Sequence, residues 1–208
     1  KYTRRGVSEY EKMVEYIYEL AAGKQGNYMV FFPSYRMLED IYEIFRNKTE
    51  ERQFEVSCIL QSSNMTEQER EEFLEAFQEN SAKTLIGFCV MGGIFSEGID
   101  LTGERLIGAA IVGTGLPQVG CGREILKNYY DEKAQNGFAY AYRYPGMNKV
   151  LQAAGRVIRT KEDRGVVLLL DERFLQREYL ELFPQEWQGY ERCTVGNAGQ
   201  KIRAFWNS

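Results

Sequence analysis

Five short apolar runs, spaced along the chain and separated by stretches of helical periodicity, constrain the fold more than any other feature of this sequence. They are NYMVFFP (27–33), FEVSCIL (54–60), TLIGFCV (84–90), LIGAAIV (106–112) and GVVLLLD (165–171). A strand with one wet face alternates apolar and polar residues, whereas a continuous run marks a strand buried on both faces. Between the runs lie amphipathic helices. Tyr10, Met13, Val14, Ile17, Tyr18 and Ala21 recur at helical spacing over 8–22, with Ser8 placed to cap them. Ser34 precedes a helix carrying Met37, Leu38, Ile41 and Phe45. Thr66 and Glu69 have capping-box spacing ahead of Phe73, Leu74 and Phe77. This alternation predicts an α/β fold with three layers, a mainly parallel sheet covered by helices on both sides. Chemistry in such sheets gathers in loops beyond the strands' carboxyl ends. The rhythm breaks over 118–145, a Tyr-, Lys- and Gly-rich segment that reads as a helical insertion. Residues 178–208, with Phe183, Trp187, Tyr190 and Trp206, are expected to pack as a tail on the domain formed by 1–177.

Composition then excludes much of enzymology. The 208 residues contain no histidine, which removes Ser-His and Cys-His nucleophiles, His-ligated metals and imidazole bases. No residue set reads as a metal site. Cys58, Cys89, Cys121 and Cys193 form no C-x-x-C pair, and reduced structural thiols in a cytoplasmic protein are the expectation. No run approaches the roughly 18 apolar residues of a membrane span, and no signal-peptide pattern opens the chain. It begins at Lys1 with helical periodicity soon after, which reads as a fragment of something longer. The net charge of -4 disfavours wholesale nucleic-acid binding, so any such contact comes from a local track.

Several nucleotide and acyl-transfer motifs fail on inspection. GKQ at Gly23 lacks the Ser or Thr of a phosphate-binding P-loop. The glycines of GTGLPQVG, at 113, 115 and 120, miss the dinucleotide pattern. VVLLLDE resembles a strand delivering acids to Mg²⁺, but without a P-loop a strand and solvated turn is the simpler account. Ser96 in GIFSEG has no histidine to activate it. Two elements remain. In MGGIFSEGIDLTG, Gly92, Gly93 and Gly98 permit close backbone approach, and Glu97 and Asp100 offer acceptors to a sugar hydroxyl or an arginine. A plain glycine-rich turn accounts for that loop equally well. In VLQAAGRVIR, Gln152, Arg156 and Arg159 stand at i, i+4 and i+7 with no acidic residue from 150 to 160. A helix starting at Gly146 or Asn148, after Pro145, would set all three on one face. A charged, solvated face is the plainer alternative.

QAAGRVIR resembles motif VI of superfamily 2 helicases. GGIFSEGID resembles motif V in the form used by DinG and XPD-type DNA helicases, and VFFPSYRMLEDIY resembles their motif IV. The three come in the right order, GVVLLLDER follows motif VI, and YTRR matches the start of this family's second motor domain. The resemblance spans residues 2–177. It implies a RecA-like domain of the P-loop NTPase superfamily that lacks its own P-loop. ATP would sit between two such domains, with the phosphate loop and the Mg²⁺-binding acid on an N-terminal partner domain of the same polypeptide. Arg156 and Arg159 would be arginine fingers, and Gln152 would sense the γ-phosphate or position water. Glu97, Gly98 and Asp100 would lie near the nucleotide; Gly93 and Ser96 would face nucleic acid. Ser34 and Tyr35 would touch the backbone of single-stranded DNA, although Ser34 also suits a cap and Tyr35 a packed ring. Gln61 is a weaker DNA contact. The family implies 5′-to-3′ travel and, in many relatives, an iron–sulfur cluster in the first domain that this chain's cysteines do not form. The whole protein would be an ATP-dependent DNA helicase of repair or replication, and the isolated chain inactive. The alternatives are a catalytically silent module binding single-stranded nucleic acid or a protein, and an RNA helicase.

Overall fold

A computed structural model describes residues 6–79, 81–95, 101, 103–159 and 163–208 of the chain. Its five strands are β1 (Asn27–Phe32), β2 (Val56–Leu60), β3 (Thr84–Val90), β4 (Gly108–Val112) and β5 (Val166–Leu170). They form one sheet in the order β2-β3-β1-β4-β5, with every pairing parallel. Each apolar run thus became a strand. The order puts β1 at the centre, with Phe31 opposite Cys89 on one side and Ile111 on the other.

Period-two alternation along β1 splits the core into two layers. Met29 and Phe31 face one cluster, while Tyr28, Val30 and Phe32 face the other. Phe31 and Phe32 are both fully buried, on opposite faces, each contributing roughly 2–3 kcal/mol of apolar burial. The Phe32 face is covered by α1 (Val7–Gly23) and α2 (Tyr35–Glu51). The Phe31 face is covered by α3 (Glu67–Glu75) and, after the helix α4 (Cys121–Glu132), by α5 (Tyr144–Ala154). Gly87 of β3 leaves room for Phe73 of α3 and Phe77 just beyond it, since a Cβ there would lie 3.1 Å and 2.7 Å from their Cζ atoms.

The helix starts follow side-chain chemistry, with two departures from expectation. Ser34 Oγ accepts the Met37 N–H at 3.3 Å, and Thr66 and Glu69 make a reciprocal capping box. Helix α1, however, starts at Val7 with Gly6 as its N-cap, so Ser8 lies inside the first turn. Helix α5 starts at Tyr144 rather than after Pro145, and a π-helical turn (Ala139–Arg143) runs directly into it. Proline costs little in a first turn, where its missing N–H has least to lose. The carbonyl four residues earlier, on Ala141, accepts instead from Arg123 Nη1 at 3.1 Å. Tyr142 also donates to Glu124, so the 118–145 insertion is a helical hairpin fastened across α4. The chain ends through the short α6 (Arg177–Leu180) and α7 (Ala198–Asn207), with Ile202 of α7 against Gly23 of α1. Phe183 and Trp187 pack on the opposite face, near Phe174.

Candidate functional site

The carboxyl ends of β1, β2 and β3 converge on one glutamine. Gln61, the first residue beyond β2, donates its N–H to Phe88 O at 2.9 Å. Its side chain is only 4% exposed. There Oε1 accepts the Val90 N–H at 2.8 Å and Nε2 donates to the Tyr35 hydroxyl at 3.0 Å. That hydroxyl donates onward to Ser62 O at 3.4 Å. Gly93 completes the cluster, because a Cβ on it would lie 3.0 Å from both Gln61 Nε2 and Val90 O. Ser34, Tyr35, Gln61 and Gly93 therefore share one edge. Their roles differ: Ser34 caps α2, Tyr35 is partly exposed, and Gln61 is turned inward and hydrogen-bonded at both ends of its amide.

The loops after β3 and β4 both meet α5. Gly115, at φ +66°, lies so close to the first turn of α5 that a Cβ would stand 2.5 Å from Gly146 O and 2.9 Å from Met91 Sδ. One turn further along α5, the Lys149 side chain crosses Gly92, at φ +72°. A Cβ at Gly92 would come within 3.0 Å of its Cδ, Cε and Nζ. Lys149 lies one residue before the VLQAAGRVIR motif, so the motif does not single it out. Lys149 stands three residues before Gln152 on α5, and that i, i+3 spacing places the two side by side on one helix flank. Ser96, Glu97, Gly98 and Asp100 lie outside the described residues.

The end of α5 departs from expectation. The helix stops at Ala154, so Gln152, Arg156 and Arg159 do not share one helical face. Gly155, a poor helix former, stands at the C-cap. Beyond it Arg156 N–H and Val157 N–H bond the carbonyls three residues back, on Ala153 and Ala154. Val157 then drops into the core against Gly165, where a Cβ would meet its Cγ1 at 2.4 Å. The Arg159 N–H is taken by Asp163 Oδ2 at 2.8 Å. Gln152 is exposed on the helix, Arg156 is half-buried in the turn, and Arg159 is half-buried in extended chain. Because Gly146 abuts the loop after β4 and Val157 abuts the residue entering β5, α5 runs antiparallel to the strands.

Burial and pairing set the ionisable groups. Burial pushes the Cys58 thiol up to about 12 and raises Cys89 further, so both stay protonated at neutral pH. Burial also pushes the Asp171 carboxyl upward. Bonds from the Arg173 N–H, Nε and Nη2, at 2.9, 2.8 and 2.7 Å, outweigh it and hold that carboxyl below the ordinary carboxylate range. Among the described residues, no three Cys, Asp or Glu side chains gather to hold a metal ion, and no helix is long and apolar enough to cross a membrane.

Comparison with known proteins identifies the family and the fold. A family model described as the helicase C-terminal domain matches residues 17–190. The chain is 27% identical over 204 residues to a regulator of telomere elongation helicase 1 homolog of rice, covering 85% of this chain and 20% of that protein. It is 34% identical over 161 residues to the bovine regulator of telomere elongation helicase 1, covering 70% of this chain and 13% of that protein. An ATP-dependent DNA helicase, CHL1, of Debaryomyces hansenii is 28% identical over 70% of this chain and 20% of its own length. The chain thus spans about a fifth or less of these relatives. A solved XPD structure superposes with a TM-score of 0.68 at 21% identity, covering 87% of this chain and 35% of that one. Yeast Dbp5 bound to RNA and ADP BeF3 gives 0.52 at 16% identity, covering 96% and 41%. These superpositions establish a RecA-like helicase fold. The chain belongs to the helicase C-terminal domain family.

Proposed function

We propose that this chain is the C-terminal motor half of an ATP-dependent DNA helicase acting in repair or replication, completing an ATP site whose phosphate loop lies on an N-terminal RecA-like domain. Charge develops on the transferred phosphoryl group, and a planar, permanently charged guanidinium from across the cleft stabilises it. Arg156 and Arg159 fill that role, and Gln152, exposed one turn before them, positions water or senses the γ-phosphate. Mg²⁺, held by an acid of the other domain, would neutralise phosphate charge. Glu97, Gly98 and Asp100 complete the nucleotide side. Ser34, Tyr35, Gly93 and Ser96 grip the backbone of single-stranded DNA, with Gln61 a positioning residue that holds the Tyr35 hydroxyl. A few neutral contacts of this kind suit an acidic domain that moves along DNA without regard to sequence.

One observation carries this reading: a continuous chain of contacts joins the two ends of the site. Helix α5, which bears Gln152, touches Gly92 through Lys149; Gly93 touches Gln61; Gln61 holds Tyr35, beside Ser34. Domain closure on ATP therefore has a short mechanical route to the DNA grip, and release of phosphate lets it relax. The test is turnover by the full-length protein on tailed and forked duplexes. ATP hydrolysis stimulated by single-stranded DNA, with strand displacement, supports the reading, and the chain alone hydrolyses no ATP above background. Robust hydrolysis by the chain alone contradicts the shared site.

A further inference from the structure

Lys149 is a cation held in an unusual place. Its stem lies across the backbone of Gly92, with Cδ, Cε and Nζ all 3.0 Å from where a Cβ would stand. The side chain is half-buried, yet among the described residues no carboxylate pairs with it. An ammonium that no carboxylate of the domain pairs with is open to an anion that arrives beside it. The adjoining loop is suited to receive one. Gly92 is in the left-handed region, and among the described residues the N–H groups of Gly92 and Ile94 bond to no other residue. Backbone N–H groups in such a turn, beside an ammonium, form an anion-binding concavity. Lys149 and Gly92 lie next to Gly93, which abuts Gln61 and through it Tyr35, at the carboxyl ends of β2 and β3 rather than at the Arg156 and Arg159 end of α5.

We propose that Lys149 and the Gly92–Ile94 backbone bind one phosphate of the single strand, so that the helix bearing Gln152 itself touches the nucleic acid. The inference rests on reading the Ser34–Tyr35–Gly93 edge as the single-strand grip, and it adds the cationic contact which that edge otherwise lacks. Glycine at position 92 suits its φ of +72°, and a Cβ there would also press on the lysine stem. Nucleotide phosphate is the competing source of the same anion, and position favours the nucleic-acid backbone.

The experiment measures binding of a fluorescent oligothymidylate to the full-length protein by anisotropy, across a series of salt concentrations. Lys149→Met keeps the apolar stem over Gly92 and removes the charge; Lys149→Arg restores the charge. Loss of one phosphate contact lowers the slope of log affinity against log salt by about 0.7, and affinity about fivefold at 0.1 M salt. The account expects both changes in Lys149→Met, recovery of the slope in Lys149→Arg, unchanged melting temperatures and an unchanged KM for ATP. An unchanged salt slope in Lys149→Met overturns the inference and leaves the single-strand reading intact. A raised KM for ATP with an unchanged slope reassigns the lysine to the nucleotide. Failure of the unmodified protein to bind the oligonucleotide overturns the underlying reading and this one with it.

Discussion

Gln61 and Tyr35 are joined by a 3.0 Å hydrogen bond between the carboxyl ends of two strands that are not neighbours in the sheet. β3 lies between them, and the same glutamine accepts the N–H of Val90 at the end of that strand. One buried amide therefore sets the relative height of three strand ends and the position of a partly exposed tyrosine.

Gln61→Leu leaves the Val90 N–H without an acceptor and the Tyr35 hydroxyl without its donor. A buried polar group so stranded costs about 1–3 kcal/mol, or several degrees of melting temperature in a domain of this size. Thermal unfolding should show that loss, with weaker oligonucleotide binding by the full-length protein beside it. An unchanged melting temperature would mean the amide is not the tie described.

Gly115 and Gly113 form a matched pair, both at positive φ, but only Gly115 is in contact with α5. Alanine at either position adopts the left-handed conformation at about 1–2 kcal/mol. Gly115→Ala also drives a methyl group into Gly146 O, whereas a Cβ at Gly113 meets open space. Urea unfolding should therefore rank Gly115→Ala well below Gly113→Ala. Equal losses would show that α5 yields freely at this contact.

Arg123 serves the Ala141 carbonyl that Pro145 cannot. Arg123→Ala should destabilise the α4 hairpin by about 1–3 kcal/mol, visible as faster hydrogen exchange over 121–143. Pro145→Ala supplies an N–H four residues beyond Ala141 and should recover part of that loss. A double-mutant cycle measures the coupling; strictly additive effects would refute the exchange of donors.

The strands were legible because burial on both faces writes itself as unbroken apolar runs. The α2 and α3 caps were legible because Ser34 and Thr66 carry local chemistry. Ser8 misled, since Gly6 serves as N-cap two residues earlier. The span of α5 misled for a tertiary reason: Val157 is drawn into the core and Asp163 takes the Arg159 amide, so the helix stops where periodicity alone would extend it. Lys149 and the inward turn of Gln61 depend on contacts between segments far apart in sequence, which no local spacing encodes. The insertion showed its helical character in sequence, but not that Arg123 and Glu124 would pin it.

Asp171 and Glu15 both have carboxyls held below their ordinary range. Burial works against this, and arginine or lysine partners prevail. A depressed folded pKa contributes stability that is complete above the unfolded value of about 4 and is lost as pH falls through the folded value. Denaturant midpoints should therefore be flat from pH 7 to about 5 and fall below pH 4, with a shallower fall in Asp171→Asn. An identical acid profile in that variant would remove Asp171 from the account.

The central claim is that Arg156 and Arg159 act on a nucleotide held by another domain. The most direct measurement is DNA-stimulated ATP hydrolysis by full-length Arg159→Ala and Arg156→Ala, with oligonucleotide affinity measured on the same preparations. Loss of an arginine finger should lower turnover by roughly 10³–10⁵, leaving single-strand affinity within a few-fold of the unmodified protein. Undiminished hydrolysis alongside lost DNA binding would place these guanidiniums on the nucleic acid and contradict the account.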